Sequence, residues 1–113
     1  MTKSLRNRWV KALRSGKYKQ GQGELRDIDN QFCCLGVLAD VCSVTWKRLR
    51  PNEMWHHCGF TRRECWGTEL PSDHSQFGLS RPQLLALMRL NDEQGWTFKR
   101  IANWIEKHVD VTV

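Results

Sequence analysis

The sequence has no long hydrophobic run. Its apolar stretches fall well short of the ~20 residues that a helix needs to span a bilayer, and the opening segment MTKSLRNRW lacks the apolar centre of a secretory signal. The usual signs of a membrane-spanning or secreted protein are therefore absent. We expect a protein that acts in the cytoplasm and has no membrane partner.

Common catalytic signatures are also missing. The sequence contains no glycine-rich phosphate loop, no GxSxG turn, no HExxH helix and no motif of paired carboxylates. The familiar kinase, hydrolase and metalloprotease patterns are excluded on this ground. An enzyme is the less favoured interpretation, and we expect no cofactor.

Carboxylates are scarce relative to cations. The 113 residues include 12 Asp and Glu against 18 Lys and Arg, which gives a formal net charge of +6. Such a charge attracts anionic partners, namely a nucleic acid, a nucleotide or an acidic protein surface. The length leaves room for one hydrophobic core, so residues 1–113 are predicted to form a single domain.

The five cysteines are an odd number, and two of them, Cys33 and Cys34, are adjacent. This arrangement does not fit the disulfide framework of a small secreted protein. We therefore expect reduced thiols.

Hydrophobic periodicity predicts four helices. The first covers residues 4–15, with apolar side chains on one face and cations on the other. The second, FCCLGVLADVCSV over residues 32–44, is apolar almost all round and is typical of a buried helix, in which Gly36 indicates a close backbone contact. Ser80 and Thr97 are suitable N-caps for the last two helices, the first of which should stop near Asn91. The buried stripe of the last helix is predicted to be Phe98, Ile101, Ala102 and Ile105.

The remaining segments predict short strands and loops. Between Lys17 and Asn30 the glycines and the sequence Asp27-Ile28-Asp29-Asn30 indicate a hairpin, and residues 48–70 are typical of loops with another short hairpin. The predicted fold class is a small, helix-dominated α+β domain. One or two short β-hairpins pack on a buried central helix in this prediction.

Three stretches carry a family resemblance. WVKALRSGKYKQGQGELR (Trp9 to Arg26), FCCLGVLADV (Phe32 to Val41) and LNDEQGWTFKRIANWIE (Leu90 to Glu106) resemble a family of small proteins encoded by tailed bacteriophages. No resemblance extends over residues 46–78. The resemblance of the three stretches implies a phage accessory protein in the host cytoplasm. Such a protein would be a host-takeover or anti-defence factor that binds a host protein, a nucleic acid or a nucleotide signal.

Cationic residues near the start of the chain predict contacts with phosphates. The exposed side of a basic helix can bind a nucleic-acid backbone without reading bases. The alternative is an ordinary solvated helix face. The candidate contact residues are Arg6, Arg8, Lys11 and Lys17.

A second hypothesis is a pocket for an anionic small molecule or an acidic peptide. It combines guanidinium groups, an aromatic ring and amides, a set that suits a nucleotide. Turn formation and helix capping explain the same residues without a ligand. The candidate binding residues are Arg14, Tyr18, Gln20, Arg26, Asn91 and Asp92.

A thiol at a helix start is the enzymatic alternative. Cys33 and Cys34 open the central helix, where unpaired N–H groups lower a thiol pKa, and this alternative is a thiol-dependent hydrolase using either residue. The favoured interpretation is that both cysteines are small core residues. The nucleophile would need a base and an orienting group, for which the candidates are His56, His57, His74, Asn91 and Asp92.

A zinc site is a weaker alternative, because the spacing of the available ligands matches no known motif. We expect no bound metal. The candidate zinc ligands are His56, His57, Cys58, Cys65 and His74.

Trp104 lies beside the buried stripe of the last helix and is the residue that would meet a partner or a second copy in a homo-oligomer.

Overall fold

The computed structural model describes residues 1–43, 46–47, 56–57 and 78–111, and at positions 47, 56 and 57 it describes the backbone. A π-helical turn, Arg89–Glu93, directly follows the third helix, and we call it the π-turn. The helices are α1 (Lys3–Arg14), α2 (Cys34–Val41), α3 (Arg81–Met88) and α4 (Phe98–His108).

Two pairs of two-residue strands complete the described fold. β1 (Lys19–Gln20) pairs with β2 (Gln31–Phe32) in parallel. β3 (Trp46–Lys47) pairs with β4 (His56–His57) in antiparallel orientation. The predicted class, a small helix-dominated α+β domain, is confirmed.

The predicted hairpin between Lys17 and Asn30 is confirmed at its turn, but its antiparallel pairing is limited to one bridge. A tight turn does form at Asp27–Asn30, where the Asn30 amide donates to the Asp27 carbonyl at 3.1 Å. Across this turn, Arg26 makes a single antiparallel bridge to Phe32. The other edge of β2 is therefore left for β1, and the connection between the two strands passes through Gly21 and Gly23, which contact the π-turn.

The helix starts agree closely with the sequence. The Thr97 side chain accepts from the Arg100 amide, and Ser80 forms a reciprocal capping box with Gln83, as the N-cap residue types predict. The sequence predicts that the third helix stops near Asn91. The α-helix α3 ends at Met88 and the π-turn that follows it ends at Glu93, so the helical segment ends within two residues of the predicted position.

The buried core lies where α1 packs against α4 and α2. The Trp9 side chain is completely buried, and its indole nitrogen donates to the Cys34 carbonyl at 3.0 Å. The predicted stripe of α4 is confirmed, since Phe98, Ile101, Ala102 and Ile105 are all buried. These contacts hold the two terminal helices around the central one.

The central helix is buried as predicted but is shorter. It begins at Cys34, because Phe32 belongs to β2 and Cys33 is the N-cap. The close contact expected at Gly36 is confirmed: a Cβ there would stand 1.8 Å from the Leu25 carbonyl oxygen. No other residue can therefore occupy this position without moving the Leu25 backbone.

Within the described ranges, no helix is both long and apolar enough to cross a membrane. Of the loops and hairpin predicted for residues 48–70, only the short strand β4 is described. The rest of that prediction lies outside the described residues.

Candidate functional site

The exposed side of α1 carries a row of cations. Lys3, Lys11 and Arg14 recur at helical spacing, with Arg8 beside them, and all four are exposed. No Asp or Glu occurs before Glu24 in the sequence. We call these four residues the cationic face.

Two of the predicted phosphate contacts differ in their exposure. Arg6 is half-buried, with its Nε atom buried and without a hydrogen-bond partner in the described part of the chain. Lys17 is exposed just beyond α1, as is Lys19 in β1. Exposed positive charge therefore continues past the end of the helix, while Arg6 contributes less to it.

Arg14 is engaged by α4. Its guanidinium forms an ion pair with Glu106 and donates to Asn103 Oδ1 at 2.7 Å. A shallow groove of about 500 Å³ lies along this seam. It is lined by Asn7, Val10, Lys11, Arg14, Ser15 and Glu106.

Tyr18 and Arg26 come together around the aromatic rings of Phe32 and Trp46. The Tyr18 ring meets Phe32 edge to face with centroids 5.1 Å apart, and the Arg26 guanidinium lies 5.2 Å from the Phe32 centroid. Asp40 accepts hydrogen bonds from the Tyr18 hydroxyl and from the Trp46 indole nitrogen. We call these five residues the aromatic cluster.

Burial and the Asp40 carboxylate together make Tyr18 a weaker acid. Burial, together with the hydrogen bond to Asp40 and its negative charge, raises the pKa of Tyr18 to about 12. The tyrosine hydroxyl thus stays protonated as a donor near neutral pH. This hydroxyl already donates its hydrogen bond to Asp40.

Asn91 is completely buried at the centre of a hydrogen-bond network. Its Oδ1 accepts from Gln20 Nε2 at 2.9 Å and from the Cys34 amide at 3.3 Å. Its Nδ2 donates to the Gly21 carbonyl at 2.9 Å and to Asp92 Oδ1 at 2.7 Å. Every polar atom of this side chain is satisfied, as a buried amide requires.

Two further side chains extend this network. Gln22 Nε2 donates to the Asn91 carbonyl at 3.2 Å, and Asp92 Oδ1 accepts from the Gly23 amide at 3.0 Å. The π-turn thereby holds both the loop after β1 and the start of α2. We call Gln20, Gln22, Asn91 and Asp92 the amide network.

The structure divides the predicted pocket residues among three environments. Tyr18 and Arg26 belong to the aromatic cluster, whereas Gln20, Asn91 and Asp92 belong to the amide network. Arg14 instead forms an ion pair with Glu106 on α4. The six residues do not line one pocket, because strand β1 and the π-turn use most of them for internal contacts.

The expected lowering of the cysteine pKa values is wrong in direction. Burial raises the pKa of the Cys33 thiol to about 12 and that of Cys34 well above its usual value. The Gly36 amide does donate to Cys33 Sγ at 3.4 Å, but desolvation outweighs it. Asn91 and Asp92 lie near these thiols, and neither thiol is accessible to a substrate.

The zinc hypothesis falls mainly outside the described residues. His56 and His57 are described as backbone in β4, while Cys58, Cys65 and His74 are not described. Among the side chains that are described, no group of three potential ligands comes together.

Trp104 is half-buried, as its place beside the stripe predicts, and its ring stacks on His108 with centroids 4.5 Å apart.

Sequence reasoning missed Asp40 and Asp27, whose carboxylates each accept two hydrogen bonds from neighbouring residues. Asp27 had a signal in its turn sequence, since an Asp in this position accepts from the amides that follow it. Asp40 had none, because no local motif links it to Tyr18, 22 positions away, or to Trp46, six positions away.

A search of curated protein sequences and a search of solved structures each found no match. A family model described as a domain of unknown function (DUF8296) matches residues 1–109. Because this match covers nearly the whole chain, the protein belongs to the DUF8296 family.

Proposed function

We propose that this protein is a binding protein whose cationic face captures an anionic macromolecule, with the phosphate backbone of a nucleic acid as the target that best fits it. The observation that carries the proposal is the uncompensated charge of α1. Lys3, Arg8 and Lys11 make no ion pair with any residue in the described ranges, and the first carboxylate of the sequence is Glu24.

The shape of the surface favours an extended target. Lys3 and Lys11 are eight positions apart on one helix, which places them about 12 Å apart along its axis at ~1.5 Å per residue. Phosphates repeat along a nucleic-acid strand, so a row of cations on a helix can neutralise several of them. A small ligand would meet at most one or two of these side chains.

The groove beside α1 favours a macromolecular ligand over a small anion. Its wall includes Glu106, whose carboxylate repels an anion and already occupies Arg14. Phosphates of a long strand can bind Lys11 and Arg8 on the outer side and avoid that carboxylate.

The resemblance to small proteins of tailed bacteriophages supports a biological setting for this activity. In that setting we propose an accessory role in host takeover or anti-defence, exerted by binding in the host cytoplasm. The thiol-dependent hydrolase receives no support from the buried thiols of Cys33 and Cys34.

Fluorescence anisotropy with labelled DNA and RNA duplexes of unrelated sequences tests the proposal. We expect similar affinities for all sequences and a steep linear loss of log affinity with log salt concentration. The variants Arg8→Gln and Lys11→Gln should each weaken binding, and each should reduce the magnitude of the salt slope by about 1 for every phosphate that the variant no longer neutralises.

Arg89→Gln is the matched control. Arg89 is exposed in the π-turn, so its replacement removes the same charge away from α1. Equal weakening by Arg89→Gln and Lys11→Gln would contradict a defined surface on α1. Absence of binding at low salt would refute the nucleic-acid target altogether.

A further inference from the structure

A polar cleft of about 450 Å³ lies between the loop that follows β1 and the start of β2. It is separate from the cationic face, and no lysine or arginine is among the described residues of its wall. The lining consists of Gln20, Gly21, Gln22, Asp27, Gln31 and Gly95.

Two glutamines of the wall are held by their amide nitrogens. Gln20 Nε2 donates to Asn91 Oδ1 and, at 2.8 Å, to the Trp96 carbonyl. Gln22 Nε2 donates to the Asn91 carbonyl. A carbonyl can only accept, so the orientation of both amides is fixed with nitrogen inward. No residue in the described chain donates to either Oε1 atom, which leaves two acceptors for a ligand.

Asp27 adds a carboxylate that is held in place by one of its oxygens. Its Oδ1 accepts from the backbone amides of Asp29 and Gln31, each at 2.9 Å. No described residue donates to its Oδ2 atom. A side chain at Gly21 would come within 3.3 Å of that oxygen, so the glycine keeps the approach to it open.

The electrostatics of the cleft favour a cation. Burial and, to a lesser extent, the nearby Asp27 carboxylate raise the pKa of Glu24, so a second acidic group lies close to Asp27. A cation bound at Asp27 would relieve this repulsion. The acceptors come from β1, the loop that follows it and the turn before β2, which favours a ligand with several N–H donors.

We propose that this cleft binds a guanidinium group, as carried by an arginine side chain or by a small guanidine compound. A guanidinium offers five N–H donors in one plane, which suits one carboxylate oxygen and the amide oxygens of Gln20 and Gln22. An ammonium ion has three donors and is more strongly hydrated, so it fits the cleft less well.

Titration of the ¹⁵N-labelled full chain with Nα-acetyl-arginine amide, followed by NMR, tests this site. We expect localised shifts at Gly21, Gln22 and Gly95 and at the side-chain amides of Gln20 and Gln31. The matched ligand is Nα-acetyl-citrulline amide, in which a neutral urea replaces the guanidinium. It should bind at least about tenfold more weakly, because charge-assisted hydrogen bonds are the stronger ones.

Three variants locate the binding. Asp27→Asn keeps an oxygen for the two backbone amides but removes the charge, and it should weaken binding about tenfold. Asp29→Asn removes a neighbouring exposed charge outside the lining and should change the affinity by less than about twofold. Gln31→Glu adds a carboxylate to the wall and should strengthen binding.

The proposal is overturned if citrulline and arginine amides bind equally, if Asp27→Asn and Asp29→Asn weaken binding equally, or if no localised shifts occur. Sedimentation velocity then separates the sources of the group. Self-association that is lost in Asp27→Asn identifies an arginine of a second copy, whereas a monomer that binds arginine amide identifies a separate guanidinium-bearing ligand. Neither result depends on polyanion binding at the cationic face.

Discussion

The cationic face and the amide network differ in how their polar groups are used. Lys3, Arg8 and Lys11 on α1 carry exposed charges that pair with no described residue. Asn91, by contrast, is completely buried and makes a hydrogen bond with every donor and acceptor of its side chain. Side chains of the face can change with little effect on folding, whereas those of the network cannot. Substitutions in the two regions should therefore separate stability from binding.

The largest loss of stability should come from Gly36→Ala, in the helix that the network anchors. The added Cβ would stand 1.8 Å from the Leu25 carbonyl oxygen and 2.7 Å from its carbon. These are backbone atoms, so the clash requires α2 to separate from the loop. We expect the free energy of unfolding in urea to fall by at least about 3 kcal/mol.

Gly16→Ala provides the control for Gly36→Ala. It adds the same methyl group in open space, at a backbone φ of 77°. The left-handed conformation alone should cost about 1–2 kcal/mol. Equal losses for the two variants would show that the contact with Leu25 is not the cause.

Asn91→Ala should have the next largest effect. The truncation leaves the Cys34 amide and the Gly21 carbonyl without their buried partner. We expect a loss of about 2–4 kcal/mol in urea unfolding, because each unsatisfied buried group costs about 1–3 kcal/mol. The control is Asn103→Ala, since Asn103 is an exposed asparagine that accepts one hydrogen bond, from Arg14, and should lose less than about 1 kcal/mol. A loss of unfolding free energy no larger than that of Asn103→Ala would show that the amide network does not stabilise the fold.

The helices are the part of the fold that the sequence predicts well. Local signals located the elements: the capping residues Ser80 and Thr97 mark helix starts, and the stripe that includes Ile101 and Ile105 marks the buried face of α4. Caps and periodicity depend on residues a few positions apart, so they can be recognised without the fold.

Distant contacts could not be predicted in the same way. Asn91 meets Gln20 across 71 positions, and Tyr18 meets Asp40 across 22. The parallel pairing of β1 with β2 likewise depends on where the intervening loop packs. Sequence reasoning therefore selected several of the residues that matter but joined them into one pocket, which the structure separates.

Tyr18→Phe should have a smaller effect, since it removes only the hydroxyl that donates to Asp40. The side chain is partly exposed, so solvent screening limits the loss to about 1 kcal/mol at neutral pH. Urea unfolding of both proteins measures it. An unchanged stability would show that water replaces this hydrogen bond at no cost.

The same variant should also change the pH dependence of stability. The pKa of Tyr18 is raised to about 12 in the folded protein, above its ordinary value of 10.0. Its contribution is therefore fully present below pH 10 and is lost as the pH rises through 12. The difference in unfolding free energy between wild type and Tyr18→Phe should shrink over this interval. A constant difference would contradict the raised pKa.

Glu106→Gln should have the smallest effect on stability and a clear effect on binding. The ion pair with Arg14 is exposed, with 40% and 47% of the two side chains accessible, so its loss should cost less than about 0.5 kcal/mol. The substitution also releases the Arg14 guanidinium and removes a negative charge from the groove beside the cationic face. Anisotropy at low salt should thus show tighter binding of DNA, and Glu93→Gln, which removes an exposed charge in the π-turn, should tighten it less. Because salt screens exposed charges, the advantage of Glu106→Gln should fade as salt is added, and an advantage that persists at high salt would indicate a rearranged groove rather than a released cation.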